Sequence, residues 1–269
     1  MAHEFFDALP IHTFQTAPAA PKPPKPASRT SGAEPQTSSS SQSPGLEWRE
    51  MMVAPVPATP TDASPSPEFQ LTLSPGTTRH SRFLPQTSPR YHALSSNPSS
   101  IIEVCPDASI YATDFASRIG GTPTLPKSHP SGAALILDYG TATSVPANSL
   151  RGIRAHELVS PFAHPGLVDL SADVDFEAIA DIALGASEGV EVHGPVEQAD
   201  FLETMGIRER AGQLIKGADG EMKERTEKAW KRLVDRGEGG MGRVYKALAI
   251  VPENGGRRRP VGFGGDLGS

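Results

Sequence analysis

The sequence predicts an α/β layer fold interrupted by a long low-complexity stretch. Three observations carry that expectation. Gly132–Tyr139 is an almost unbroken apolar run, amphipathic segments alternate with short strand-like ones after about residue 100, and prolines crowd the first hundred residues. Alternating strands and helices favour a sheet covered by helices.

The chain opens on an apolar, acidic segment, His3-Glu4-Phe5-Phe6-Asp7. Of the 27 prolines, sixteen lie between Pro18 and Pro98, a region that also holds the serine run Ser38–Ser41. Proline removes backbone donors, and such composition buries too little apolar surface to offset chain entropy. Residues 16–45 and 55–67 are therefore expected to be disordered. Two islands, Leu46–Val53 and Phe69–Leu73, have strand-like residues and are expected to pair as a hairpin. Ile101–Ile119 is expected to be one helix with Pro106 early in it. Gly132–Tyr139 has the pattern of a strand buried on both faces. Asp175 should cap a helix with Phe176, Ile179, Ile182 and Ala183 on one face and Gly185 at its end. Gly189–His193 is a short strand, Gln198–Met205 a short helix stopped by Gly206, and Asp219–Val234 an amphipathic helix with a charged solvent face. Arg243–Val251 is the final strand, and the Gly/Arg tail after it is expected to be disordered.

Composition narrows the function classes. The 269 residues carry 25 Lys+Arg against 31 Asp+Glu, a formal net charge of -6. A dedicated nucleic-acid binder usually shows the opposite imbalance. A single cysteine, Cys105, cannot form an intrachain disulfide, which fits a reducing compartment. No apolar run approaches the ~20 residues of a membrane span. The first residues show no secretory or mitochondrial address.

Several motifs compete for a chemical role. Gly237-Glu-Gly239-Gly-Met-Gly242-Arg-Val244 matches the glycine-rich loop of protein kinases, G-x-G-x-x-G-x-V. Only about two dozen residues follow it, without the catalytic-loop and metal-binding aspartates a kinase needs. A glycine turn feeding the last strand is the simpler expectation. His3-Glu4 begins like a zinc-binding helix, but no histidine follows at position 7 and His12 lies beyond Pro10. His156, His164 and Asp169 offer ligand types without a metal-site spacing, so no metal is expected. Cys105 precedes Pro106 near a helix start, where a thiol can become acidic, yet a buried structural role is the commoner one. Asp138-Tyr139-Gly140 ends the buried strand, and ligands of open α/β sheets bind at the carboxyl ends of strands.

Taken in order, these segments carry a resemblance. Ala2–Phe14, Ile102–Asp107, Gly132–Gly140, Pro165–Phe176, Gln198–Ile207 and Met241–Leu248 are similar to the MidA-like family, the mitochondrial complex I assembly-factor protein arginine methyltransferases. Weaker pieces lie near residues 46–54 and 69–75; the Pro/Ser-rich stretches are outside it. The resemblance implies a partial Rossmann-like (class I) methyltransferase fold with long disordered insertions. Residues 1–15 would start the domain, 16–100 would be a mostly disordered insertion with strand islands, 101–252 would complete the domain, and 253–269 would be a disordered tail.

The resemblance also implies S-adenosylmethionine as cofactor and symmetric dimethylation of an arginine on a complex I subunit in the mitochondrial matrix. A guanidinium is always protonated and a poor nucleophile, so carboxylates must hold it and localise its charge. Glu4 and Asp7 fall in the acidic motif after the family's fourth strand and are the expected catalytic carboxylates. His3, Asp138, Tyr139, His156, Asp169 and Asp173 are expected near substrate or cofactor. The family's glycine-rich cofactor turn lies upstream of the His3–Asp7 motif and has no counterpart here, so the chain is expected to be truncated and to bind cofactor weakly. A non-catalytic docking module derived from the same fold is the alternative. Neither nucleic acid nor a membrane span is implied.

Overall fold

The computed structural model describes residues 1–19, 45–56 and 69–264. The first strand, β1 (Ala2–His3), leads through a tight turn to β2 (His12–Pro18). Strands β3 (Leu46–Pro55) and β4 (Phe69–Leu73) follow, then short helices α1 (Arg79–Phe83) and α2 (Pro89–Ala93). Next come β5 (Ile101–Val104), α3 (Pro106–Gly120) and a small hairpin, β6 (Gly121–Thr122) and β7 (Leu125–Pro126). The buried strand is β8 (Ala134–Thr141). After it lie β9 (Arg151–Arg154), β10 (Glu157–Val159), β11 (Asp169–Ser171) and β12 (Val174–Asp175). The remaining elements are α4 (Phe176–Ala186), β13 (Val190–Glu197), α5 (Gln198–Thr204), α6 (Ile207–Lys216), α7 (Gly220–Val234) and β14 (Tyr245–Pro252).

The main sheet has the order β1-β8-β14-β13, with β12 pairing the end of β8. β1 and β12 run parallel to β8, whereas β14 runs antiparallel to both β8 and β13. One face carries Ile136, Leu248 and Ile250 against Ala112, Ala116 and Ile119 of α3 and Ile179 and Ala183 of α4. The other face carries Ala247 and Ala249 against Phe201 of α5 and Phe263. Period-2 alternation along β14 thus divides one buried strand between two cores. A second sheet, β4-β3-β2-β5, is wholly antiparallel and packs Phe14, Trp48 and Ile102 under Leu84 and Tyr91. A third, β10-β9-β11, projects beyond the carboxyl end of β8. Among the described residues no helix is long and apolar enough to cross a membrane.

The expected β3–β4 hairpin is present, with Met51 opposite Leu73 and Pro55 opposite Phe69. Other expectations need correction. Ile101–Ile119 is a strand followed by a helix, not one helix. Pro106 is the first residue of α3, and Cys105 before it is extended at φ -107°, ψ 98°. Proline suits that first helical position and disfavours helix in the residue before it. The expected disorder of residues 16–45 fails at its start, because β2 continues through Pro18. The expected disorder of residues 55–67 also fails at its start, because Pro55 ends β3 opposite Phe69. Residues 20–44 and 57–67 of the two stretches lie outside the described residues. Within the Pro/Ser-rich region, Thr78 and Ser88 cap α1 and α2 with their side chains. The tail is also ordered through residue 264: Phe263 is buried against Phe201, and Asn254 Oδ1 accepts from Arg257 N at 2.8 Å.

The kinase-like glycines form a return turn. Gly242 N donates to Asp235 O at 2.8 Å and Met241 N to Arg232 O at 3.0 Å, folding the chain back along the end of α7 into β14. A close approach also explains Gly120 and Gly189, at the junction of α3 and β13. A Cβ on Gly189 would lie 2.3 Å from Gly120 O. Gly189→Ala should therefore cost about 1–3 kcal/mol by overpacking against backbone. Urea unfolding of the variant should show a lower midpoint at unchanged slope.

Candidate functional site

β1 and β8 are parallel neighbours, with Ala2 opposite Ile136 and His3 opposite Leu137, so their carboxyl ends open on the same side. The turn after β1 is built on one carboxylate. Asp138 Oδ2 accepts from Phe6 N at 2.9 Å, Phe5 N at 3.1 Å and Asp7 N at 3.4 Å. Its other oxygen accepts from Tyr139 N at 2.9 Å. Successive amides converging on one anion form a concave nest. Ala172 N closes the far side by donating to Asp7 O at 2.9 Å.

The nest tightens the chain enough to place Glu4 at φ 47°, a left-handed conformation that L-residues seldom adopt. Glu4 is left exposed, and its carboxylate accepts from the Tyr245 hydroxyl. Burial, together with this hydrogen bond, pushes the Tyr245 phenol far up, so it stays a donor. The Tyr139 and Tyr245 rings lie 4.0 Å apart, and the His3 ring stacks on Tyr245 at 6.1 Å and 10°. The Arg151 guanidinium sits 4.6 Å from the Tyr139 ring centroid and pairs with Asp173 at 2.6 Å.

The structure therefore brings together His3, Glu4, Tyr139 and Asp173 of the expected residues. Asp7 and Asp138 form a buried pair behind them, with Asp7 Oδ1 left without a partner. His156 and Asp169 are not part of this cluster. His156 sits on the exposed β9–β10 turn at φ 65°, and Asp169 is exposed on β11. Among the described residues, His156, His164 and Asp169 form no group whose ligand atoms lie within reach of one another. Cys105 lines a partly open cleft of about 360 Å³, and burial pushes its thiol up, away from a reactive thiolate.

Sequence reasoning missed Tyr245, Arg151 and Lys246. Tyr245 lay inside the expected strand Arg243–Val251, and only the antiparallel pairing of β14 with β8 sets it opposite Tyr139. Lys246 is buried opposite Asp138, and burial lowers its ammonium below the usual lysine range. Beside Asp7 opens a mainly apolar cavity of about 580 Å³, lined by Leu9, Phe162, Val168 and Leu170 among others.

A family model described as "Putative S-adenosyl-L-methionine-dependent methyltransferase" matches residues 1–196. The chain belongs to that family. The resemblance carried by His3–Asp7 and Gly132–Gly140 therefore holds. The mitochondrial protein arginine methyltransferase NDUFAF7 of Rattus norvegicus is 30% identical over 253 residues, covering 94% of this chain and 45% of the relative. Its Homo sapiens counterpart is 28% identical over the same length and shares. The chain thus spans about half the length of the curated relatives it matches. A Burkholderia thailandensis crystal structure with S-adenosyl-homocysteine bound superposes with a TM-score of 0.59 at 21% identity. The match covers 98% of this chain and 54% of that one, and it shows a shared Rossmann-like methyltransferase fold.

An adenosylmethionine cradle needs backbone that can approach the cofactor closely. No glycine-rich turn follows β1, β8 or β12. Gly140, within β8, is packed against its own fold: a Cβ there would lie 2.3 Å from Val174 O and 2.9 Å from the Phe176 ring. The residues at these strand ends are carboxylates and aromatic rings, a set that suits a cationic group. What they lack is the glycine turn that lets backbone approach a nucleotide cofactor closely.

Burial and the neighbouring Asp7 charge push Asp138 up to about 7, against the pull of its amide donors. Between the ordinary value near 4 and about 7, the folded state then binds more protons than the unfolded one. Stability should fall as pH rises through that window. Asp138→Asn removes this titration, so the wild type should lose stability relative to the variant between pH 4 and pH 8. Melting temperatures of both proteins across that range measure the difference. Asp138→Ala, which orphans the buried amides of Phe5 and Phe6, should cost about 2–4 kcal/mol near pH 4, and less as pH rises and the wild type itself loses stability.

Proposed function

We propose that this chain forms the substrate-facing part of an S-adenosylmethionine-dependent protein arginine methyltransferase acting in mitochondrial complex I assembly. One observation carries the reading: the Glu4 carboxylate, held in a strained turn at the carboxyl end of β1 beside the close, mutually tilted Tyr139 and Tyr245 rings. A carboxylate next to aromatic faces suits a planar cation, which can pair at its edge and stack on its face. Family membership and the arginine methyltransferase names of the relatives support this choice. The same names, which include the word mitochondrial, support a mitochondrial location, and the matrix is the compartment we assign.

The catalytic task of these residues is to make a guanidinium nitrogen available. Glu4 pairs with the cation and draws its charge toward one side, leaving the opposite nitrogen richer in electrons. Tyr245, donating to Glu4, fixes the carboxylate orientation so that the aligned geometry is present before substrate arrives. Glu4 also accepts the proton the nitrogen sheds after methylation. Asp7 and Asp138 act behind the turn by setting its shape. The cofactor supplies an electrophilic sulfonium methyl, and symmetric dimethylarginine is the product we assign.

Methyl transfer from labelled adenosylmethionine to arginine on complex I subunits tests this reading. Glu4→Gln should lower turnover by roughly 100-fold or more while leaving cofactor affinity unchanged. Transfer undiminished by Glu4→Gln, or the same product on lysine, would overturn it. The missing glycine turn among the described residues favours one second reading, a docking module without catalysis. Binding of complex I subunits with no methyl transfer to them from labelled adenosylmethionine would establish that alternative.

A further inference from the structure

Away from the main sheet, three side chains converge on the antiparallel one. His12 of β2 and Glu50 of β3 lie diagonally across a ladder in which Phe14 faces Glu50. His80 reaches the same point from α1. His12 Nδ1 lies 2.8 Å from Glu50 Oε1, and His80 Nδ1 lies 3.3 Å from the same oxygen. The three ligand atoms all lie within 4.8 Å of one another.

We propose that His12, Glu50 and His80 form a binding site for one divalent transition-metal ion of the zinc class, which fastens α1 to the four-stranded sheet. The spacing supports it. Zinc bonds of ~2.0–2.1 Å to nitrogen and oxygen put the edges of a tetrahedron at ~3.3–3.4 Å. The His80–Glu50 separation of 3.3 Å matches that length, and the His12–Glu50 separation of 2.8 Å is shorter, so an outward shift of His12 against Glu50 admits an ion. Exposed His80 can follow that shift, its side chain being 52% accessible.

The site is also held from outside. Thr78 Oγ1 donates to Glu50 Oε2 at 2.6 Å, which leaves Oε1 turned to the two imidazoles. Thr78 is itself fixed as the N-cap of α1, accepting from Ser81 N at 3.0 Å. The His12 ring stacks on buried Phe14 at 6.1 Å and 9°. Partners that orient ligands in this way are a regular part of metal sites. Two imidazoles and one carboxylate select zinc-like ions over calcium or magnesium, which prefer all-oxygen shells. An ion would displace the protons that the two Nδ1 atoms direct at Glu50 Oε1, leaving each ring protonated at Nε2 and a fourth position open to water.

A gain in rigidity is the expected consequence. α1 is a five-residue helix, too short to persist by its own hydrogen bonds. An ion bound to His12, Glu50 and His80 would tie it to two strands at once.

The test uses the full chain after chelator treatment, titrated with Zn2+ in a calorimeter and with Co2+ in a visible spectrometer. One equivalent should bind, Co2+ should show ligand-field bands of a four- or five-coordinate site, and Zn2+ should raise the melting temperature. His80→Ala, at an exposed position, and His12→Gln should each weaken binding by roughly 100-fold, and Thr78→Val by roughly tenfold. His92→Ala, outside the cluster, should bind as the wild type does. Absence of stoichiometric binding, or equal affinity in His80→Ala, would overturn the proposal.

Discussion

The site depends on one buried carboxylate. Asp138 collects the amides of Phe5, Phe6 and Asp7 on a single oxygen and so determines where the chain goes after β1. Everything around the site follows from that turn. Phe5 and Phe6 are directed into the core against Tyr111 and Phe115, Asp7 is directed inward, and Glu4 is left exposed, reaching the Tyr245 hydroxyl. Charge burial is normally unfavourable, and here the amides offset it only in part, which is why Asp138 holds its proton to an unusually high pH. The same balance keeps two aspartates side by side where a core would favour apolar groups.

The legible part of the fold was the part written in local periodicity. β8, α4 and α7 could be placed because their apolar spacing and caps lie within one segment, Asp175 and Asp219 accepting from Ala178 N and Met222 N as N-caps do. The β3–β4 hairpin was legible for the same reason. The boundary between β5 and α3 was not, because Ile101–Val104 is apolar enough for either element and only Pro106 marks the switch. α6 went unseen because Gly206 looked like a stop, whereas it stands in the left-handed region at φ 77° and begins the next helix. α1 and α2 were hidden by the proline and serine content around them, although those same residues cap them.

The candidate site was legible only in its acidic half. Glu4, Asp7 and Asp138 stand in recognisable motifs, so they could be named from the chain alone. Their separate roles could not, because the split between an exposed Glu4 and a buried Asp7 arises from a contact spanning more than a hundred positions. Arg151 carries no motif, and Tyr245 lies in the Met241–Leu248 segment with nothing to mark it as a site residue. They enter the site through strand register and through the small β9–β11 sheet, which no local pattern encodes. Arg90 is a similar case: it joins the two larger sheets by pairing with Asp175 at 2.7 Å and donating to Thr143 O at 2.8 Å.

The strand order of the main sheet also governs how this protein must be assembled. β14 follows every other described strand in the chain, yet it lies between β8 and β13 and pairs with both along their length. Until it arrives, β8 and β13 have no common neighbour, and the apolar faces they share remain open to water. Each ladder it closes joins distant parts of the chain, which makes closure late and slow. During synthesis, a ribosome that had released everything up to α7 would hold two unsatisfied strand edges in one nascent chain. Such edges invite pairing with other chains. Insertion of β14 closes that window and, by setting Tyr245 against Tyr139 and Glu4, completes the candidate site in the same step.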